Sequence, residues 1–202
     1  MSGQSVAVVR GDICLAELRE AGRDQAARLL PAIGEALERA GVARREIDLV
    51  AVTVGPGRFT GVRVGLAAAR GLAVGLGVPL AGVSTTSVLL AQAALAQRLA
   101  VAAVDTQLGD WFCALGEGDA PPFAVSSEDL AARLSGQMCR VVGAGIAPLV
   151  ASLTAAGVDA VAVEGPPDAV TLARLAADAG VEAWAVRNRD EGLPRPLYLR
   201  GV

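Results

Sequence analysis

The sequence contains no histidine, and this absence excludes more chemistry than any other feature of the composition. Without an imidazole the chain cannot build a Ser-His-Asp triad or a zinc or iron site with histidine ligands. Its three cysteines, Cys14, Cys113 and Cys139, are scattered and odd in number. They form no Cys-x-x-Cys motif or disulfide framework, and we interpret them as small buried residues in a reducing cytosol. These absences exclude histidine-based catalysis, and we predict no metal site in this chain.

Aromatic residues and excess basic charge are also scarce. Aromatics make up 3% of the 202 residues and hydrophobic residues 53%, so Ala, Val, Leu and Gly must build the core. The 18 basic and 21 acidic residues are well mixed and give a net charge of −3. Because binding to a phosphate backbone depends on clustered Lys and Arg, this composition argues against a protein that grips nucleic acid alone.

Targeting and membrane segments are not predicted. No stretch combines the basic start, apolar middle and cleavage site of a signal peptide. The segment from Val62 to Leu80 is apolar, but it contains two arginines, four glycines and a proline. We predict a helix followed by a strand there, and not a membrane span.

The stretch from 48 to 77 organises the rest of the chain. Leu49 to Val54 is a short, β-branched apolar run, typical of a strand buried on both faces. Gly55-Pro56-Gly57 ends this strand, and Thr60 is predicted to be the N-cap of the helix that follows. From Gly61 to Gly75 the helix is apolar or glycine around nearly its whole circumference.

Two arginines, Arg63 and Arg70, are the only charges on this helix, and their spacing of seven places them on one side. A nearly smooth stripe of small and apolar side chains also follows helical spacing, at Gly61, Gly65, Ala68 and Leu72. Glycine inside a helix costs roughly 1 kcal/mol relative to alanine, which suggests a compensating contact. Two alternatives remain open: the helix is enclosed within its own fold, or it packs one face on its own sheet and another on a second protein chain.

Strands alternate with helices along the chain, which predicts an α/β fold with some parallel pairing. Hairpins open both halves and suggest two similar lobes, at 1–99 and 100–202. Asp168 is the predicted cap of a helix over 169–179, and the segment from 182 onward is predicted to be irregular. The other predicted elements are a hairpin at 5–19, strands at 78–84, 100–105, 111–115, 138–142 and 158–163, and helices at 24–41, 85–99, 127–134 and 146–156.

Two glycine turns join a strand to a helix and could present backbone N–H groups to phosphate. The candidate residues of this nucleotide or phosphate loop are Gly55, Gly57, Thr60, Gly143 and Gly145. Neither turn is a Walker A loop or a dinucleotide fingerprint. A tight turn with no ligand is the alternative.

The glycine-rich helix and its flanks resemble the TsaB (YeaZ) family. The resemblance is carried by GPGRFTGVRVGLAAARGLA (55–73) and VPLAGVST (78–85), with support from RLLP (28–31) and PLYLR (196–200). The first block is long and specific to the family. It implies an actin-like, sugar-kinase-like ATPase fold (ASKHA, ribonuclease H-like) with two small lobes.

The resemblance also implies a function. The family acts in the bacterial cytoplasm and helps to make threonylcarbamoyladenosine at position 37 of tRNA. Its members are not the catalyst: they pair with the paralogue TsaD, which transfers the threonylcarbamoyl group, and the ATPase TsaE joins the pair. The implied role is a scaffold or activator that binds no cofactor itself within a complex that uses ATP and ADP. A homodimer is also possible, and tRNA would be reached only through the complex.

The family pairs through the helix after the glycine block. Carried over to this sequence, the implied partner interface comprises Gly61, Arg63, Gly65, Ala68, Arg70 and Leu72.

Two departures from the family pattern are expected to matter. The family usually begins with a strand of the type Ile-Leu-Ala-Ile-Asp-Thr-Ser, which helps to bind phosphate in actin-like folds, and here only Met1 to Gln4 precede the hairpin. Its absence weakens the case for nucleotide binding. The chain also stops two residues past Tyr-Leu-Arg.

The alternative functions are those of a stand-alone ASKHA-fold ATPase, a glycoprotease-like hydrolase, or a homodimeric structural protein without a tRNA role.

Overall fold

A computed structural model describes residues 3–22, 25–93, 97–116 and 119–199. The described chain forms two compact units. The first contains the described residues up to Val54, together with Phe59–Val83 and Asp168–Pro196. The second contains Gly55–Arg58, Ser84–Pro167 and the described residues from Leu197 onward.

The strands and helices are named in chain order. The strands are β1 (Gly3–Arg10), β2 (Ile13–Ala21), β3 (Val50–Thr53), β4 (Leu80–Val83), β5 (Leu99–Asp105), β6 (Trp111–Leu115), β7 (Phe123–Val125), β8 (Met138–Gly143) and β9 (Asp159–Glu164). The helices are α1 (Gln25–Ala40), α2 (Phe59–Leu76), α3 (Thr85–Ala93), α4 (Ser127–Arg133), α5 (Ala147–Ala155), α6 (Ala169–Asp178) and α7 (Val181–Glu191).

The first unit contains two separate pairs of strands. β1 and β2 form the predicted antiparallel hairpin, and β3 pairs in parallel with β4, with Val50 opposite Leu80. Helices α1, α2, α6 and α7 pack on these strands. The buried side chains of this unit form three small clusters, centred on Val8, Val52 and Ala81.

The second unit is built on one five-stranded sheet in the order β7-β6-β5-β8-β9. β5, β8 and β9 run parallel, whereas β6 and β7 are antiparallel to their neighbours. One face of the sheet packs under α4 and α5, where Leu130, Leu149 and Leu153 are fully buried. The other face packs under α3, through Leu89 and Leu90. The cluster under α4 and α5 is the larger continuous core of the described chain. Each buried leucine in it contributes roughly 1.5–3 kcal/mol.

The unit boundaries differ from the division predicted at residue 99. α6 and α7 belong to the first unit because Ala176 and Trp184 pack against Ala81 of β4. The indole Nε1 of Trp184 also donates a hydrogen bond of 2.8 Å to the Ala176 carbonyl. Ser84–Pro167 belongs to the second unit, in which α3 packs on β5. Contacts between segments far apart in sequence set these boundaries, and no local pattern indicates them.

Most of the predicted elements are confirmed within a few residues. The predicted cap at Asp168 is present, because its Oδ1 accepts the Thr171 N–H at 2.7 Å. Ser126 caps α4 in the same way, through an Oγ that accepts the Asp129 N–H at 3.0 Å. Three features were predicted wrongly. The segment over 182–188 is helical within α7, and β7 was not predicted. The helix predicted over 85–99 is described as α3 only from Thr85 to Ala93, and Leu99 already belongs to β5. The predicted start of α1 at Asp24 lies outside the described residues.

Candidate partner-binding site

The first turn of α2 begins two residues earlier than expected, because Thr60 as N-cap would make Gly61 the first helical residue. Phe59 is its first residue, so Thr60 lies inside the helix and is not its N-cap, which corrects the prediction. Arg63 follows Phe59 by one turn, and its guanidinium carbon lies 3.6 Å from the centre of the phenyl ring. This stacking gives Phe59 a helical partner at i+4, which favours the earlier start.

One face of α2 packs on its own unit. Leu66, Ala69 and Ala73 are buried against Val52 of β3 and Leu80 of β4. These are the buried residues among the 18 of the helix, and they fall within one stripe of its surface. The helix is therefore anchored to its strands by a narrow face built from one leucine and two alanines.

The opposite face of α2 is exposed in the described structure. Arg63, Ala67 and Gly71 follow one another along it at helical spacing. Val74 adds a large apolar side chain to this face, with 71% of its surface accessible. Phe59 is 58% accessible in the first turn, about 20° around the helix from the buried Leu66. A soluble chain rarely leaves such a face uncovered, and a contiguous apolar face is typical of a protein-binding surface.

The length and composition of α2 would also allow it to cross a membrane, and 17% of its 18 residues are buried in the structure. Core helices of soluble proteins satisfy the same two criteria. The prediction that this segment does not span a membrane stays a prediction.

The predicted stripe lies on the flank of α2. Gly61, Gly65, Ala68 and Leu72 are half-buried. A Cβ added at Gly65 would lie 3.7 Å from the Val52 side chain, so this position faces β3 of the same unit. The exposed positions 63, 67, 71 and 74 are centred about 135° around the helix from this stripe, because successive helix residues rotate by about 100°. A role for the stripe in partner binding stays a prediction, and Ala67 and Gly71 are the exposed small residues that the sequence pattern missed.

The two predicted arginines of α2 have different environments. Arg63 is exposed and stacks on Phe59. Arg70 is half-buried, and its guanidinium donates hydrogen bonds to the carbonyls of Leu193 and Pro194. The spacing of the two arginines predicted that they share one side of the helix. It could not predict that Arg70 would donate hydrogen bonds to a carbonyl 124 residues later in the chain.

The first glycine turn has a structural role. Gly55 is buried with a φ of 105°, a conformation that glycine adopts readily. Its carbonyl accepts the Thr85 N–H at 2.8 Å, which ties the turn to the start of α3. Gly57 is exposed.

The second glycine turn is filled by a side chain of the same unit. The carboxylate of Glu164 accepts the N–H of Gly145 at 2.9 Å and the N–H of Ala147 at 3.1 Å. The Gly145 N–H is one of the backbone groups that the sequence predicted could face phosphate. Gly143 has a packing role, because a Cβ there would lie 2.1 Å from the Ala103 carbonyl oxygen. Glu164 could not be predicted as part of this turn, since nothing local in the sequence links it to a turn 19 residues earlier.

No group of three or more potential metal-ligating side chains occurs within the part of the chain that the structure describes. Burial raises the pKa of the Cys113 thiol to about 12 and also raises that of Cys139. Cys113 and Cys139 are buried, as predicted, whereas Cys14 is exposed, so the prediction that it is buried is wrong.

This chain is similar to proteins of known families, both over the segment that contains α2 and over the whole fold. The family model described as TsaD, tRNA N6-adenosine threonylcarbamoyltransferase, matches residues 19–131, more than half of the chain. The tRNA threonylcarbamoyladenosine biosynthesis protein TsaB of Escherichia coli is 38% identical over 95 residues, which are 46% of this chain and 41% of that protein. The structure of YeaZ from Pseudomonas aeruginosa matches with a TM-score of 0.75 and 27% identity, covering 98% of this chain and 94% of that one.

This chain belongs to that family and is of the TsaB/YeaZ type. The family assignment made from the glycine block is therefore confirmed, and the α/β fold matches that of YeaZ. The sequence alignment spans about two fifths of the length of the curated TsaB relative. The tRNA N6-adenosine threonylcarbamoyltransferase of Symbiobacterium thermophilum is 55% identical over 56 residues, which are 28% of this chain and 16% of that protein.

Proposed function

We propose that this TsaB-type chain is a non-catalytic subunit that binds a TsaD-type transferase and supports threonylcarbamoyladenosine formation at position 37 of tRNA. The exposed apolar face of α2 is the observation that carries this proposal. We also propose a cytoplasmic location, a TsaE-type ATPase as a further member of the complex, and ATP or ADP as nucleotides used by the complex and not by this chain.

The chemistry of the α2 face favours a partner helix of the same kind. Ala67 and Gly71 have small side chains, which allow a second backbone to approach closely. The block that forms α2 lies within the range matched by the TsaD family model, so a TsaD-type partner is expected to present a similar helix. Two related helices can then pair around a pseudo-twofold axis, as in isologous interfaces. The same argument permits a homodimer when the transferase is absent.

The closed glycine turn supports a non-catalytic role. The Glu164 carboxylate already accepts the two N–H groups at the start of α5. A phosphate brought to this turn would meet a negative charge and would have to displace it. The observation weighs against the ATPase alternative, and no observation favours the hydrolase.

A charge placed on the exposed face tests the proposal. We expect Ala67→Glu to weaken binding to the TsaD protein of the same organism by at least tenfold, because the carboxylate would be buried at the interface without a partner. Ala67 is a sharper position than Gly65, where a new side chain would press on Val52 of the same unit. Isothermal titration calorimetry measures the affinity.

Ala151→Glu on α5 is the matched control, since Ala151 is also an exposed helical alanine. It should leave the affinity unchanged. An Ala67→Glu protein that stays folded and binds TsaD as tightly as the parent would overturn the assignment of this face. If the parent chain does not bind TsaD at micromolar concentration, the proposed function itself fails.

A further inference from the structure

One side chain fastens the segment after α7 to α2. The Arg70 guanidinium donates from Nε to the Pro194 carbonyl at 3.1 Å, and from Nη2 to the carbonyls of Pro194 and Leu193. Arg70 is half-buried, and all three residues belong to the first unit. The planar fork of a guanidinium, with its five N–H donors, suits two neighbouring carbonyl acceptors.

The same segment also packs closely on a glycine of β4. At Gly82 in β4, an added Cβ would lie 2.5 Å from Cβ of Pro194 and 2.9 Å from the Val54 side chain. The proline can therefore rest on the strand only because residue 82 has no side chain. Leu193 packs on the cluster of Val52. Arg70 and Gly82 thus fix the segment from two sides, one by hydrogen bonds and the other by close approach.

The fastened segment borders the exposed face of α2. Arg70 follows Arg63 by seven residues, so the two positions differ by only about 20° around the helix. Val74 follows Arg70 by one turn and is 71% exposed. The Leu193–Pro194 backbone therefore lies beside the edge of the helix surface where Arg63 and Val74 are accessible, and Arg195 continues from it as an exposed residue.

We infer that Arg70 is a positioning residue for partner binding: it holds the segment 193–195 beside α2, so that this segment forms one edge of the surface that receives the second chain. The inference rests on the proposed function and extends it. The expected partner is the TsaD-type chain, whose helix would lie along Ala67 and Gly71 and meet the segment at its margin. Arg70 acts on this partner through the segment, whereas Arg63 and Ala67 contact it directly.

Replacing Arg70 separates this role from direct contact. We expect Arg70→Met to lower the affinity for TsaD about tenfold, chiefly through faster dissociation. Arg70→Lys, which keeps a charged donor, should recover part of the loss. Arg174→Met is the matched control, because Arg174 also donates to a backbone carbonyl, that of Asp12 at 3.0 Å, but from α6. Surface plasmon resonance measures the rates at a temperature where circular dichroism shows every variant folded.

A fluorescent probe on the segment supplies a readout that a purely structural role would not change. Arg195→Cys in a Cys14→Ser background gives one accessible thiol, because Cys113 and Cys139 are buried. With Arg70 present, the emission of the attached probe should change when TsaD is added. In the Arg70→Met variant, the fluorescence anisotropy of the probe on the chain without TsaD should fall, because the segment is no longer held against α2.

The outcomes separate this inference from the proposed function. If the probe at 195 does not respond to bound TsaD while Ala67→Glu abolishes binding, the segment is not part of the surface and only the inference fails. The same holds if Arg70→Met is folded and binds normally. If Arg70→Met does not fold, the response of the probe in the parent chain decides alone. Unchanged affinity of both Ala67→Glu and Arg70→Met overturns the inference and the α2 assignment together.

Discussion

A single carboxylate, that of Glu164, decides what the turn before α5 can bind. Its two oxygens accept the N–H groups that a phosphate would otherwise receive at a helix start. The side chain thereby acts as an internal anion. A turn that is typical of phosphate binding in sequence can therefore be a closed structural feature.

Removing the Glu164 carboxylate should destabilise the chain. We expect Glu164→Ala to lower the free energy of unfolding by about 1 kcal/mol, since the loss resembles that of a helix-capping side chain. Urea denaturation followed by circular dichroism measures this change. Glu38→Gln on α1, an exposed glutamate, serves as the control and should have little effect. Equal stability of the Glu164→Ala and parent chains would contradict the capping role.

The buried thiol of Cys113 should make stability fall at alkaline pH. Burial raises its pKa from 9.0 to about 12 in the folded chain. Between these values the unfolded chain loses the thiol proton first, so stability is present below pH 9 and decreases as pH rises. We expect a loss of about 1 kcal/mol between pH 8 and pH 10, measured by urea denaturation. Cys113→Ala should show a smaller pH dependence, and an identical slope would contradict this assignment.

Cysteine reactivity gives a second test at the same scale. Cys14 is exposed, whereas Cys113 and Cys139 are buried with raised pKa values. Because the thiolate is the reactive form, the native chain at pH 8 should react with Ellman's reagent at one thiol, and the urea-unfolded chain at three. Fast reaction of two or three thiols in the native chain would contradict the packing of β6 and β8.

At the scale of elements, glycines of similar appearance have opposite roles. Gly143 ends β8 where a Cβ would lie 2.1 Å from the Ala103 carbonyl oxygen, whereas a Cβ at Gly34 inside α1 would meet nothing within 4 Å. We expect Gly143→Ala to destabilise the chain by at least 2 kcal/mol through overpacking. Gly34→Ala should stabilise it by up to about 1 kcal/mol through helix propensity. Thermal and urea unfolding of the two variants measure the contrast, and equal effects would refute it.

The elements that could be predicted from the sequence are those with a local signal. The hairpin of β1 and β2, the β3–α2 unit, and the caps at Ser126 and Asp168 follow from turn residues, periodicity and side-chain chemistry near each element. The extent of α7 could not be predicted in this way, because Trp184 is its one buried residue and its apolar residues follow no strong period. Its position depends on distant contacts. Asn188, for example, bonds both the N–H and the carbonyl of Leu80, 108 residues earlier.

The apolar composition of α2 left open whether the helix is enclosed within its own fold or has a second face to offer to another chain. In the described structure one face of the helix is exposed. The rotation of the helix decides which residues are exposed, and that depends on Leu66, Ala69 and Ala73 packing on β3 and β4. A sequence stripe at Gly65 cannot reveal this choice, because two flanks of an apolar helix look alike in sequence.

At the scale of the whole molecule, the two units should differ in local stability. The second unit has a five-stranded sheet with helices on both faces, whereas the first has two pairs of strands and three small clusters. Amide hydrogen exchange followed by mass spectrometry should therefore be slowest in β5 and β8, and faster in β1 to β4. Two-stranded pairs have little independent stability in water. Equal protection of the strands in both units would contradict the expected difference.

The uncovered helix has a consequence for the amount of protein that a cell can hold. A chain that displays Phe59 and Val74 to water is expected to self-associate as its concentration rises above that of its partner. Its solubility then depends on the ratio in which the two proteins are made. Balanced synthesis of both chains would keep the helix covered from the moment each is completed, whereas a surplus of this chain would be directed into dimers or aggregates.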